Sequence, residues 1–238
     1  MHKSIVSVVI PAYNEEKTIG YIIAETISVM DSLKLPYEVI IVDDGSTDNT
    51  RKIVTQYKAT VLSNGINCGK GYALRKGFQQ ARGDIIITMD SDGTHSPKEI
   101  PSIIYPLLNG VDIVTGSRFK GHGKESTSKL HLLGNFIFNV LIMILTKKRV
   151  TDSQTGFRGF KKEFLHEINL ESYGYEIETE MTVKGLKNGF VFHEIPISCV
   201  KRKYSTSKLK ILSDSAKIFK AILRATFIKS MVRDGNRN

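Results

Sequence analysis

Residues 84–92 read DIIITMDSD: one acid, an unbroken apolar and β-branched run, then Asp90-Ser91-Asp92. A run of this length without polar alternation is the mark of a strand buried on both faces, as in a parallel sheet. Two further runs share it, 5–11 (IVSVVIP) and 37–42 (YEVIIV), the first ended by Pro11 and the second by Asp43-Asp44-Gly45-Ser46. Shorter strands are expected at 60–62, 111–116 and within 189–201. Between them the spacing turns helical: Ile19, Ile22, Ile23, Ile27 and Met30 in 17–33, then 48–57 with Ser46 or Thr47 as its cap, then 71–81 with Gly83 as a left-handed cap. Alternating strands and helices predict an α/β fold, a mainly parallel sheet with helices on both faces. Ligands of such sheets bind beyond the carboxyl ends of the strands. The polar clusters at 11–15, 43–46 and 90–92 therefore converge on one edge.

Length and composition bound the reading. A chain of 238 residues, 41% hydrophobic and 24% charged, is long enough for one α/β domain with a continuous core. Its two cysteines, Cys68 and Cys199, exclude a disulfide framework and a cysteine-ligated zinc site, and fit a reducing compartment. Nothing at the start resembles a signal peptide, so a cytoplasmic location is expected. Charge is uneven: residues 201–238 carry 11 Lys/Arg and 2 Asp/Glu, leaving 23 basic and 22 acidic residues in 1–200. The expected division is a nearly neutral domain over 1–201 and a basic helical tail over 202–238. A basic tail seeks phosphates, but its aromatics are not interleaved for base stacking, so nucleic acid is not the expected partner.

Asp90 and Asp92 carry the chemistry. Carboxylates one residue apart at a strand end can hold a hard cation, Mg²⁺ or Mn²⁺, whose remaining positions go to water and phosphate oxygens. The same residues can instead brace a turn. Asp43 and Asp44 likewise divide between a turn and hydrogen bonds to a base or ribose. GINCGKG at 65–71 misses the P-loop spacing by one residue and has Gly71 where Ser or Thr should stand, which excludes a P-loop ATPase. Lys70, at a helix N-terminus, can still meet a phosphate. No GxGxxG follows the first strand, which argues against a dinucleotide-binding dehydrogenase. Glu176, Glu178 and Glu180 divide between contacts to sugar hydroxyls or a base and a solvated helix face, the latter favoured.

Taken in order, PAYNEE at 11–16, DDGSTDNT at 43–50, NCGKGYALRKG at 67–77, GD at 83–84, DSDGTHSP at 90–97, GSR at 116–118 and DSQTGFRGF at 152–160 resemble the inverting glycosyltransferases of family 2. Within that family the chain is most similar to polyprenyl-phosphate sugar synthases, dolichyl-phosphate mannose synthases among them. The resemblance spans about residues 5–210 and implies a GT-A type, Rossmann-like fold. It implies a metal-dependent transfer of a hexose, mannose first, from a GDP- or UDP-sugar to a dolichyl or polyprenyl phosphate; the alternative is a soluble small-molecule or protein acceptor.

By the same resemblance, Pro11, Tyr13, Glu15, Val42, Asp43, Asp44, Lys70, Asp90 and Ser91 face the nucleotide-sugar. Asp90 and Asp92 take the metal, joined by Thr94 where the family often has glutamine. Asp92, Arg118, Asp152 and Arg158 are the catalytic set. Arg118, Lys129, Gln154, Arg202 and Lys208 meet the acceptor phosphate. The QxxRW signature of sugar polymerisers is missing, and the chain has no tryptophan at all.

A lipid acceptor demands a membrane. The longest apolar stretch, 132–145 (LLGNFIFNVLIMIL), is too short to span a bilayer at 14 residues and is broken by Gly134, Asn135 and Asn139. With Lys129 on one side and Lys147-Lys148-Arg149 on the other, the segment 129–149 suits a helix lying in the interface. The basic helix at 209–231, with Leu212, Ala216, Phe219, Leu223 and Phe227 on one face, can lie beside it on anionic lipid, making the protein peripheral to the inner membrane face. That face can equally dock on the domain or pair with a second subunit as a homo-oligomer. The glycine-bearing segment 119–128 is expected to be a mobile loop.

Overall fold

The computed structural model describes residues 4–121, 129–202 and 211–227, with side chains omitted at 129–131 and 211–212. Seven strands form one sheet: β1 (Val6–Ala12), β2 (Tyr37–Asp43), β3 (Thr60–Ser63), β4 (Ile85–Thr88), β5 (Ile113–Ser117), β6 (Arg158–Lys161) and β7 (Phe192–Pro196). Their spatial order is β3-β2-β1-β4-β6-β5-β7. All neighbours are parallel except β6, which runs antiparallel between β4 and β5. The chain leaves β1 in both directions, so the switch point lies between β1 and β4. Because β6 is reversed, its first residue, Arg158, sits at the edge where β4 and β5 end.

Side-chain alternation builds two apolar layers. Val8 and Ile10 of β1 and Ile87 of β4 face α1 (Ile19–Leu33) and α4 (Ile100–Leu108). Val9, Ile86 and Phe160 face α3 (Lys70–Gln80), α6 (Lys162–Glu167) and α7 (Ile177–Lys187) on the other side. A third cluster joins Ile142 of α5 (Lys129–Thr146) and Val183 and Leu186 of α7 to Ile218, Ile222 and Ala225 of α8 (Ile211–Phe227). Among the described residues no helix is long and apolar enough to cross a membrane.

Some local expectations are corrected. The 48–57 helix is a single turn and a half, α2 (Thr50–Val54), and Ser46 does not cap it. Its hydroxyl instead accepts the Asn14 N–H at 2.9 Å, while Asn14 Oδ1 accepts the Thr47 N–H at 2.7 Å, lacing two site loops together. Gly83 is not a left-handed cap either, since α3 ends at Ala81 with ordinary negative φ. Gly83 is needed for space: a Cβ there would stand 2.6 Å from the Ser7 nitrogen. On the tail helix, the docked face is Ile218, Ala221, Ile222 and Ala225, where two alanines allow close approach, and Phe219 and Phe227 point outward. Residues 122–128 of the expected mobile loop lie outside the described residues.

Candidate active site

At the switch point, the loops after β1, β2 and β4 surround a cleft of about 650 Å³, within the range of small-molecule sites. Pro11, Tyr13, Glu15, Asp44, Lys70, Asp90, Ser91, Asp92 and Arg202 all line it, half of the sequence-predicted residues. Ser91 Oγ donates to the Pro11 carbonyl at 2.8 Å and ties the ends of β4 and β1 together. Asp44 spends its carboxylate on the 64–69 loop: Oδ1 accepts Asn64 Nδ2 (2.7 Å) and the Cys68 N–H (3.0 Å), and Oδ2 accepts the Gly69 N–H (2.8 Å). Gly69 adopts φ +98°, and a Cβ there would meet the Tyr173 carbonyl, so only glycine lets α3 begin beside this wall.

The aspartate pair is held by cations. Lys70 Nζ lies 2.5 Å from Asp90 Oδ1 and 2.6 Å from Glu178 Oε1. Arg202 reaches Asp92 Oδ2 at 2.5 Å. Burial opposes the Lys70 charge, but Asp90 and Glu178 outweigh it and raise its pKa. Burial also works against Asp90, yet Lys70 and the neighbouring cations hold its carboxyl far below the usual range. With one ammonium shared between two carboxylates, burial wins at Glu178 and pushes its pKa up. Gly156 closes the floor, since a Cβ there would strike both Asp90 carboxylate oxygens.

Both sides of the Asp90-Ser91-Asp92 reading are present in the geometry. Asp92 Oδ1 braces a turn, accepting the Thr94 N–H at 2.9 Å and its hydroxyl at 2.7 Å, while Oδ2 faces Arg202. Thr94 therefore orients a carboxylate and is not part of the cleft wall. Among the described residues no group of three or more His, Cys, Asp or Glu is arranged around a common point, so no all-protein metal cage exists there. Two hard carboxylates fit Mg²⁺ or Mn²⁺ that arrives with a diphosphate, because such ions fill their other positions with phosphate and water.

Beside the cleft lies a second ion pair. Arg118 binds Asp152 through Nε (2.7 Å), Nη2 (2.9 Å) and its backbone N–H (3.1 Å). Asn135 Nδ2 adds a fourth donor to Asp152 at 2.9 Å. From the last strand, Glu194 Oε1 accepts the backbone N–H groups of Thr151 (2.8 Å) and Asp152 (3.0 Å). Burial raises the Asp152 pKa, but the Arg118 charge and these donors outweigh it and hold it low. A depressed folded-state pKa contributes stability that is full above the ordinary value of about 4 and is lost as pH falls toward the folded value. Asp152→Asn should therefore lower Tm at pH 7, and its gap from the parent should narrow as pH falls below about 4; a gap that does not change with pH would refute the role.

Other predicted residues take different places. Arg158 is wholly buried beneath the site, donating to the carbonyls of Ser153, Thr155 and Glu178 and to Thr182 Oγ1. Val42 is core, and Asp43 holds the turn through the Ser46 N–H (3.0 Å) and Ser63 (3.3 Å). Gln154 is half-buried and outside the cleft lining. Lys129 opens α5 with its side chain outside the described atoms, and Lys208 lies outside the described residues.

Among the lining residues that escaped the sequence reading are Ser213, Asp214 and Lys217 of α8. Only their helical spacing, away from the Phe219 row, could have flagged them. Glu176, Glu178 and Glu180 are buried, correcting the solvated-face reading. Ile177 and Met181 join α7 to the sheet-side cluster, and α8 packs on the same helix.

A parallel sheet split at a switch point, with one reversed strand and an aspartate pair at that edge, defines the GT-A architecture. The sequence matches the Glycosyl transferase family 2 model over residues 7–168. It is 32% identical over 212 residues to the dolichol-phosphate mannosyltransferase of Pyrococcus furiosus, covering 86% of this chain and 59% of that one. It is 31% identical over 249 residues to the UDP-N-acetylglucosamine–dolichyl-phosphate N-acetylglucosaminyltransferase of Methanococcus voltae, covering 94% and 96%. Among solved structures, glucosyl-3-phosphoglycerate synthase from Mycobacterium tuberculosis in complex with phosphoglyceric acid superposes with TM-score 0.75 at 25% identity, covering 96% of this chain and 82% of that one. The chain belongs to glycosyltransferase family 2.

Proposed function

We propose that this protein transfers a hexose from a GDP- or UDP-sugar to a dolichyl or polyprenyl phosphate, with inversion at the anomeric carbon. The observation that carries the reading is the side-by-side placement of the Asp90/Asp92 cleft and the Arg118–Asp152 pair, because the reaction must manage two anions. Pro11, Tyr13, Glu15 and Asp44 would hold the nucleoside at the cleft wall. Asp90 and Asp92 would hold Mg²⁺ or Mn²⁺, which when bound supplies neutralisation of the leaving diphosphate.

Lys70 and Arg202, now on those carboxylates, are the cations placed to meet diphosphate oxygens. An acceptor phosphate oxygen attacks the anomeric carbon from the opposite side, the bond from that carbon to the diphosphate oxygen breaks, and the nucleoside diphosphate leaves. A phosphate acceptor is already ionised near neutral pH, so positioning and charge stabilisation suffice without a strong base. Arg118 is the residue to meet the incoming phosphate.

Mannose is the favoured sugar, after the Pyrococcus furiosus relative, whose length this chain spans by three fifths. A soluble phosphorylated acceptor is the second reading, motivated by the similarity to a synthase of glucosyl-3-phosphoglycerate. Thermal-shift screening of GDP, UDP and their sugars with Mn²⁺ or Mg²⁺ should give one nucleotide that raises Tm only with metal. The winning sugar is then offered with dolichyl phosphate or with 3-phosphoglycerate. Product on the soluble acceptor alone would overturn the lipid assignment.

A further inference from the structure

We infer that the outward faces of α5 and α8 form one docking surface for an anionic bilayer, and that docking tightens donor binding because both helices also reach into the active site. The inference rests on the lipid-acceptor reading and extends it.

On α5, Leu133, Phe136, Ile137, Met143 and Ile144 share one face and are exposed, Phe136 by 62% and Ile144 by 65%. On α8, which packs against α5, Phe219 and Phe227 stand out in the same way, Phe227 by 74%. Exposed Lys147, Lys148 and Arg149 follow α5, and exposed Lys220 flanks the α8 row. Apolar stripes rimmed by cations suit the boundary of an anionic membrane. Two copies of this chain laid face to face would instead press like-charged rims together, so lipid is the occupant the charges favour.

Beside their apolar contacts, the same helices carry polar residues that reach the site. From α5, Asn135 donates to Asp152, which holds Arg118, and Asn139 Nδ2 donates to the Thr151 carbonyl at 2.7 Å. From α8, Ser213, Asp214 and Lys217 form part of the cleft wall. Each helix is thus a single body with one face on the membrane and the other on the site. A surface that restrains both helices removes freedom the donor would otherwise have to remove. Linkage makes the effect reciprocal, so nucleotide must strengthen vesicle binding by the same factor.

The test titrates UDP and GDP, each with Mn²⁺, into the full chain with and without phosphatidylglycerol–phosphatidylcholine vesicles that contain no polyprenyl phosphate. Vesicles should lower the Kd of the nucleotide that binds by about fivefold or more, the scale of ordinary coupling. Nucleotide should raise vesicle partitioning equally. The double variant Phe136→Ser/Phe227→Ser should keep the vesicle-free Kd and lose the response to lipid. Vesicle binding with an unchanged Kd would remove the linkage and leave the lipid-acceptor reading standing. Absence of vesicle binding, or a solution dimer that the double variant dissolves, would overturn the docking surface. Transfer to detergent-solubilised polyprenyl phosphate tests the acceptor reading separately from both.

Discussion

Asp92→Asn is expected to reduce sugar transfer by roughly 10³-fold, about 4 kcal/mol of transition-state stabilisation, while the protein stays folded. The reasoning separates the two duties of this side chain. Asparagine keeps an oxygen for the Thr94 N–H and hydroxyl, so the turn after β4 survives. It removes the negative charge that faces Arg202 and would hold a divalent ion with Asp90. Nucleotide binding in the presence of Mn²⁺ should weaken in parallel, and the circular dichroism spectrum should not change. A variant with near-parental turnover would show that the aspartate pair is only a brace for the turn, and the transfer chemistry would have to be placed elsewhere.

Arg158→Met is expected to act on stability, by about 3–5 kcal/mol, because it strips a buried cation from acceptors that have no other donor of that shape. Three carbonyls and the Thr182 hydroxyl converge on its guanidinium, and Glu178 loses one of the two positive charges that oppose its burial. In a domain of this size each kcal/mol moves Tm by about 2–4 °C, so a fall of roughly 6–20 °C is expected. Arg202→Ala supplies the contrast: its partly exposed side chain pairs at the cleft, so activity should drop while Tm holds within a few degrees. If Arg158→Met kept its Tm and lost only turnover, the arginine would belong to the catalytic set that sequence resemblance assigns it to.

The three strand-end clusters were legible because local rules place them: apolar runs make buried strands, and parallel strands align their carboxyl ends. Asp90, Asp92, Asp44 and Lys70 follow directly from that edge. The surroundings of Arg158 were not legible in its motif: the reversal of β6 brings it to the site edge, and its buried guanidinium donates to the carbonyls of Ser153, Thr155 and Glu178. Glu178 misled because a helix with acids at 176, 178 and 180 looks solvated in sequence; in the fold its side chain is buried against Lys70, more than a hundred residues earlier in the chain. Asn135 and Asn139 looked like interruptions of an apolar run, and in the fold they are the inward edge of α5.

The sequence by itself determined the α/β alternation, the edge at which the site lies and the family of the chain, since hydrophobic period and ordered motifs are local properties. Only the tertiary structure decided which charges are paired, which face of the tail helix is docked, and that α8 reaches the cleft. Those outcomes depend on burial, and burial is set by what distant segments bring against each face. Lys70, Asp90 and Glu178 show the reason plainly: three charges far apart in the chain become one electrostatic unit only when β4, α3 and α7 meet.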